Sequence, residues 1–196
     1  VHSKSRKVYE ANITVFDALK KSDFDLKGKF FLERYIAAHA IMISFEGIPA
    51  IYFNSLFGKS NDEAKYVITG NNRDVNRYKW NYKNITRKLS NNKSKQSIFY
   101  SNITNLLSIR RKQKAFHPNA KRYNINVGSK LFCFKRLSVD KKQSIICITN
   151  LSSKNQTAKL KKDLLKYRDL LNLKTKFKNK NLLILKPFQT VWLSNV

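Results

Sequence analysis

One segment limits the folds open to this chain more than any other. "GIPAIYF", Gly47 to Phe53, is the single run that reads as a strand covered on both faces, the pattern of a parallel strand lying under helices. Pro49–Phe53 is therefore expected to be such a strand. It leads straight into a long polar stretch that contains "GNNRDVNR" and carries Arg73, Asp74 and Arg77. Long ordered loops are usually functional. A loop leaving the C-terminal end of an α/β strand is where such folds assemble their sites.

The flanks fit the same class. "KFFLERYIAAHAIMISF", Lys29 to Phe45, reads as a helix with Phe31, Tyr35, Ala38 and Met42 at near-helical spacing, ended by Gly47 and Pro49. Gln96 to Ala115 reads as a second helix. Phe99, Ile103 and Leu106 form its buried stripe, and Arg110 to Lys114 complement its C-terminal dipole. From His117 onward the period changes to two: "KRYNINV", "SKLFCFKRLSV", "QSIICITNLS", "QTAKL", "NLLIL" and "FQTVWLS" predict short strands, with "VDKKQ" as a hairpin connection. The expected fold class is α/β over residues 1–116, followed by a small antiparallel β-domain over residues 117–196. The boundary falls near "FHPNA".

The net charge of +28 makes a polyanion the first partner to consider. From Asn76 to Val139 there are sixteen Lys and Arg and no acidic residue. Yet Lys, Asn and Ile, the residues an A- and T-rich genome over-produces, make up 67 of the 196 residues. The basic side chains are spread over every segment, without the aromatic stacking platforms of single-strand binders. The expectation is no specific nucleic-acid partner; a basic polyanion-binding module is the competing reading.

Cys133 and Cys147 are expected as buried free thiols in a reducing, cytoplasmic setting. No apolar run reaches the length of a membrane span, so no membrane partner is expected. His2, His39 and His117 lack metal-ligand spacing, and neither a metal nor any other cofactor is expected. On its apolar helix, His39 reads as a satisfied core residue.

Four motifs in order, "YEANITVFDAL", "AIMISFEGIPAIYFNSLFGKSND", "TGNNRDVNRYKW" and "FHPNAKRY", resemble the sucrose phosphorylase group of glycoside hydrolase family thirteen, in the α-amylase superfamily. The resemblance covers almost the whole chain and is strongest from Val8 to Tyr123. It implies the last strand and flanking helices of a (β/α)8 barrel, followed by a C-terminal β-domain. It also implies a retaining glycosyltransferase that moves glucose from sucrose, sucrose 6'-phosphate, glucosylglycerol or glucosylglycerate to phosphate, giving glucose 1-phosphate. Sugar and inorganic phosphate are the implied small-molecule partners. A hydrolase of the same barrel family is the alternative within the fold.

Retention needs two carboxyl groups about 5–5.5 Å apart, and in the family these lie upstream of anything in this chain. A closed barrel takes about 250 residues and eight strands, while one strand of that kind is readable. The chain is therefore expected to be the C-terminal third to half of an enzyme, with no catalytic residue of its own and inert without the missing barrel. Arg73 matches the family arginine that binds hydroxyls at the closed end of the glucose subsite. Tyr9 matches a mobile-loop tyrosine that faces phosphate or acceptor, and Glu10 follows it where the sucrose enzyme has glutamine. Asn54 stands where many relatives carry histidine. These substitutions point away from sucrose as the acceptor side is read; Asn61 and Asp62 read as turn-forming.

Overall fold

Helix α2, Phe31–Ser44, is closed at both ends by charged side chains that belong to other elements. The computed structural model describes residues 11–23, 25–173, 175 and 181–196, and within it α2 follows a short helix α1, Val15–Ala18. At the N-terminal end the Asp25 carboxylate accepts from the Lys29 and Phe30 amides at 2.8 and 2.9 Å and from Arg34 at 3.0 Å. Arg34 in turn donates to the Leu19 and Lys20 carbonyls. Burial works against a charge on Asp25, but the bonds from the Phe30 amide, Arg34 and the Lys29 amide outweigh it and hold its pKa below the ordinary value.

The C-terminal carbonyls of α2 are satisfied from further away. Arg110 donates to the Ile43, Phe45 and Gly47 carbonyls. Arg136 donates to Ser44 at 2.7 Å and to His117 and Ala120. Both arginines are buried. A cation is favoured at this end of a helix, where the carbonyls left without intrahelical partners carry partial negative charge.

The helical part continues with α3, Phe53–Leu56, α4, Glu63–Thr69, α5, Tyr82–Ser90, and α6, Lys95–Arg111. Asp62, Asn81 and Ser94 cap the last three through side-chain oxygens that accept from main-chain amides, the usual use of these residue types. Phe99, Ile103 and Leu106 of α6 are buried as the periodicity predicts. The stripe of α2 differs from the expected one: Tyr35, Ala37, His39, Ala40 and Ile43 are buried, whereas Met42 is exposed. Nearly every position of that helix is apolar, so spacing alone does not fix which side faces the core.

The expected strand at Pro49–Phe53 is not a strand. Residues 49–52 have no ladder partner among the described residues, and Phe53 already begins α3. A strand exists only through pairing, and this segment has no neighbouring parallel strand here. Its backbone is extended at Tyr52. Ile51 packs toward the core, while Ile48, Tyr52 and Phe53 are exposed.

The strands follow in sequence order: β1, Lys121–Asn124; β2, Leu131–Leu137; β3, Ser144–Asn150; β4, Gln156–Lys159; β5, Arg168–Asp169; β6, Leu182–Leu185; and β7, Thr190–Ser194. Five form an antiparallel sheet in the order β1-β2-β3-β7-β5, and β4 pairs with β6 in a separate ribbon. β2 and β3 run as a hairpin with Leu137 opposite Ser144. Its turn is held by Asp140, which accepts from Ser138 Oγ and the Lys142 amide.

Three layers result. One face of the sheet packs Phe134, Ile145, Cys147 and Trp192 against Tyr35, Ile43, Phe99 and Ile103 of the helices. The other packs Cys133, Ile146, Ile148 and Leu193 against Leu183 and Leu185 of the ribbon. All seven residues of β3 are buried because it is central and covered on both sides. Cys133 and Cys147 are free thiols on opposite faces of that sheet, a geometry that excludes a bond between them. No helix among the described residues is long and apolar enough to cross a membrane.

Candidate functional site

The polar stretch after α3 is a built structure, and Asn54 is its anchor. Asn54 is buried; its amide nitrogen donates to the Asn76 and Tyr78 carbonyls at 3.2 and 3.1 Å, and its oxygen accepts from Trp80 Nε1 at 2.8 Å. Three bonds from one side chain tie α3 to residues more than twenty positions downstream. All the reach of Asn54 is spent inside the protein, so its role in this structure is to shape the loop rather than to face an acceptor.

A second set of contacts fixes the loop from its other side. The Asp62 amide donates to the Val75 carbonyl at 2.7 Å, and Lys65 Nζ pairs with Asp74 at 2.9 Å. The hydrogen bonds from Lys65 and then Thr69 hold the Asp74 carboxyl below its ordinary pKa. Asn61 accepts from the Thr14 amide and hydroxyl, and its own amide donates to Asp17. Asn61 and Asp62 are thus structural, as their residue types suggested.

Arg73 stands on the 3-10 turn Asn72–Asn76, whose start is capped by Asn71 Oδ1 accepting from the Arg73 amide at 3.1 Å. The side chain is exposed. A rigid turn therefore presents a planar guanidinium, whose fixed donor fork matches paired oxygens. Tyr9 and Glu10 lie outside the described residues, so no geometry relates them to Arg73.

The apolar surface around this loop is unusual for its exposure. α4 has no buried residue, and its Val67 and Ile68 are 79% and 82% exposed; Ile48 beside the extended segment is 84% exposed.

The acidic residues do other work. Asp25 and Asp169 are the buried carboxylates among the described residues. Asp169 accepts from the Leu171 and Trp192 amides, both at 3.0 Å, and from Thr175 Oγ1 at 2.7 Å. Burial raises its pKa despite these bonds. His39 Nδ1 lies 2.9 Å from the Tyr35 carbonyl, and its ring rests on the Tyr35 ring. Among the described residues, no cluster of His, Cys, Asp and Glu could hold a metal ion.

Arg110 and Arg136 were missed as structural keys, although a signal existed. Arg110 continues the 99, 103, 106 stripe of α6, and Arg136 shares the inward parity of Phe134 on β2. An arginine on a buried stripe needs internal acceptors.

Comparison with known proteins gives the arrangement a setting. The chain is 31% identical to a glucosylglycerate phosphorylase of Escherichia coli (strain K12), over 96% of this chain and 33% of that protein. It is 29% identical to a sucrose phosphorylase of Agrobacterium vitis, over 62% of this chain and 22% of that protein. Among solved structures, an AmyP variant in complex with maltotriose superposes with a TM-score of 0.66, covering 85% of this chain and 35% of that one at 18% identity. No family model matches. The chain spans about a third of the length of the first curated relatives it matches. The chain is the counterpart of the C-terminal part of the sucrose phosphorylase-like enzymes, and its fold is that of the C-terminal part of (β/α)8 enzymes of the α-amylase kind.

Proposed function

We propose that this chain is the C-terminal part of a retaining α-glucoside phosphorylase that transfers glucose from glucosylglycerate or a related α-glucoside to phosphate, giving glucose 1-phosphate. Residues 1–116 would complete the barrel and 117–196 form the appended β-domain. The observation that carries the reading is the 31% identity to a glucosylglycerate phosphorylase over 96% of this chain. The exposed, unpaired segment 48–53 supports it, since a barrel strand needs neighbours on both edges.

In this reading the reacting carboxylates come from elsewhere in the barrel, and Arg73 contributes to the glucose subsite. The rigid turn that carries Arg73 would fix its guanidinium for two sugar oxygens, a charge-assisted bidentate contact. Glu10, which stands where the sucrose enzyme has glutamine, favours an acceptor other than fructose. The isolated chain is inert.

The test is a replacement. The C-terminal third of the E. coli glucosylglycerate phosphorylase is exchanged for this chain, and glucose 1-phosphate release is measured with glucosylglycerate and with sucrose. Phosphate-dependent release is expected, faster with glucosylglycerate, and reduced by about a hundredfold or more in kcat/KM by Arg73→Ala, the size of an effect on a contact strengthened in the transition state. Release of glucose 1-phosphate by the isolated chain overturns the proposal. So does a folded chimera that liberates free glucose without consuming phosphate.

A further inference from the structure

A cavity of about 630 Å³ lies in the β-domain and shares no residue with the Arg73 loop. It is lined by residues of β1, β2, β3 and β4 and of the segment that follows β4. Its floor is the outward face of β2 and β3, with Cys133, Leu137 and Ile146, and its far wall is Leu160, Leu164 and Tyr167. The size falls within the range of pockets that enclose a small ligand, roughly 300–1,000 Å³.

The walls are fixed. Cys133 and Ile146 are buried in the central strands, and Tyr167 is pinned to β3 by its hydroxyl, 2.6 Å from Ser144 Oγ. The mouth is cationic. Lys135, Lys159 and Lys161 line it against a single acid, Asp163. Arg34, Lys65, Lys114 and Arg122 form ion pairs elsewhere in the fold. The Lys135 ammonium lies 5.8 Å from the centroid of the Tyr123 ring, which also lines the cavity.

An apolar floor under a ring of ammonium groups selects for a ligand with both properties. We propose that this cavity binds a small amphiphilic anion, whose apolar body rests on Cys133 and Ile146 and whose carboxylate, sulfonate or phosphate meets Lys135, Lys159 and Lys161. Neither half suffices. An inorganic anion gains only exposed lysines, which water serves as well, and a neutral apolar molecule leaves the lysine rim without a counter-charge. The inference is independent of the proposed phosphorylase activity.

The probe is 8-anilinonaphthalene-1-sulfonate, titrated into the full chain with stoichiometry read by calorimetry. One molecule should bind per chain, displaced by decanoate but not by equal concentrations of inorganic phosphate or decanol. Combined Lys135→Glu, Lys159→Glu and Lys161→Glu should weaken binding at least tenfold, and Leu164→Trp, which fills the space, should abolish it with the circular dichroism unchanged. A control with the same change of charge on exposed sites, Lys79→Glu, Lys83→Glu and Arg87→Glu, should have little effect. The proposal fails if the control weakens binding as much as the rim variant. It also fails if several probe molecules bind and neither rim nor filling variant alters the titration.

Discussion

Arg136 Nη1 lies 2.7 Å from the main-chain oxygen of Ser44, ninety-two positions earlier in the chain. This bond joins the central hairpin of the β-domain to the last residue of α2. The same guanidinium reaches His117 and Ala120 at the junction between the two parts. Helical part and sheet are therefore held together by one buried cation as well as by the apolar layer of Phe134, Ile145 and Trp192.

Arg136→Met keeps the volume and removes every donor. A hydrogen bond to a charged group contributes about 1.5–3 kcal/mol, and buried acceptors left without donors cost about as much. A loss of at least about 3 kcal/mol is expected, read as a lower urea midpoint. Arg136→Lys should recover part of it, since one ammonium cannot span all three carbonyls.

Asn54→Ala frees the Trp80 indole and the Asn76 and Tyr78 carbonyls at once. The expected result is local: the turn bearing Arg73 and Arg77 loosens, and trypsin cuts there several times faster while the sheet survives. Limited proteolysis with mass analysis of the fragments checks it. Unchanged cleavage would show that the loop does not depend on Asn54.

Asp169→Asn isolates the cost of a buried charge. The amide can keep accepting from Leu171 and Trp192 and can donate to Thr175. Burial raises the Asp169 pKa, so the folded state binds the proton more tightly than the unfolded one. Its stabilising share is present below the unfolded value of about 3.9 and is lost as pH rises through the folded value. The variant should therefore gain on the parent as pH rises from about 4 to 7, measured as the difference between their urea midpoints. Asp169→Ala, which strands the Leu171, Asn172 and Trp192 amides, should lose stability at every pH.

His39 gives the opposite sign. Burial lowers its pKa, against the raising effect of the Tyr35 carbonyl, so the unfolded chain takes up the proton first. Stability is full above the unfolded value of about 6.5 and declines as pH falls below it. His39→Leu should flatten that decline while changing stability at neutral pH by no more than about 1 kcal/mol, since only one neutral hydrogen bond is lost.

Gly58 has φ of +57°, and a Cβ there would stand 2.6 Å from the Phe99 ring. Gly58→Ala combines a disfavoured backbone with overpacking against α6. A destabilisation of about 1–3 kcal/mol is expected from the overpacking alone. Phe99→Leu should relieve part of it in the double variant, a coupling visible in a double-mutant cycle.

Much of this was legible in the chain itself. The two long helices, the antiparallel strands, the hairpin at Asp140 and the helix cap at Asp62 all follow from local rules of periodicity and side-chain capping, which act over a few residues; Asn61 instead bonds Thr14 and Asp17, more than forty positions earlier. The motif order that led to the phosphorylase group was legible too. The buried face of α2 was not, because an almost wholly apolar helix offers no contrast. Pro49–Phe53 forms no ladder here for a related reason: apolar β-formers predict extended backbone, but ladder bonds come from a partner. Only the tertiary structure decided where Asn54 points, that Arg110 and Arg136 serve the carbonyls of α2, and that Cys133 and Cys147 face opposite layers. These depend on contacts across tens of residues, and a charge is buried or exposed according to what folds over it.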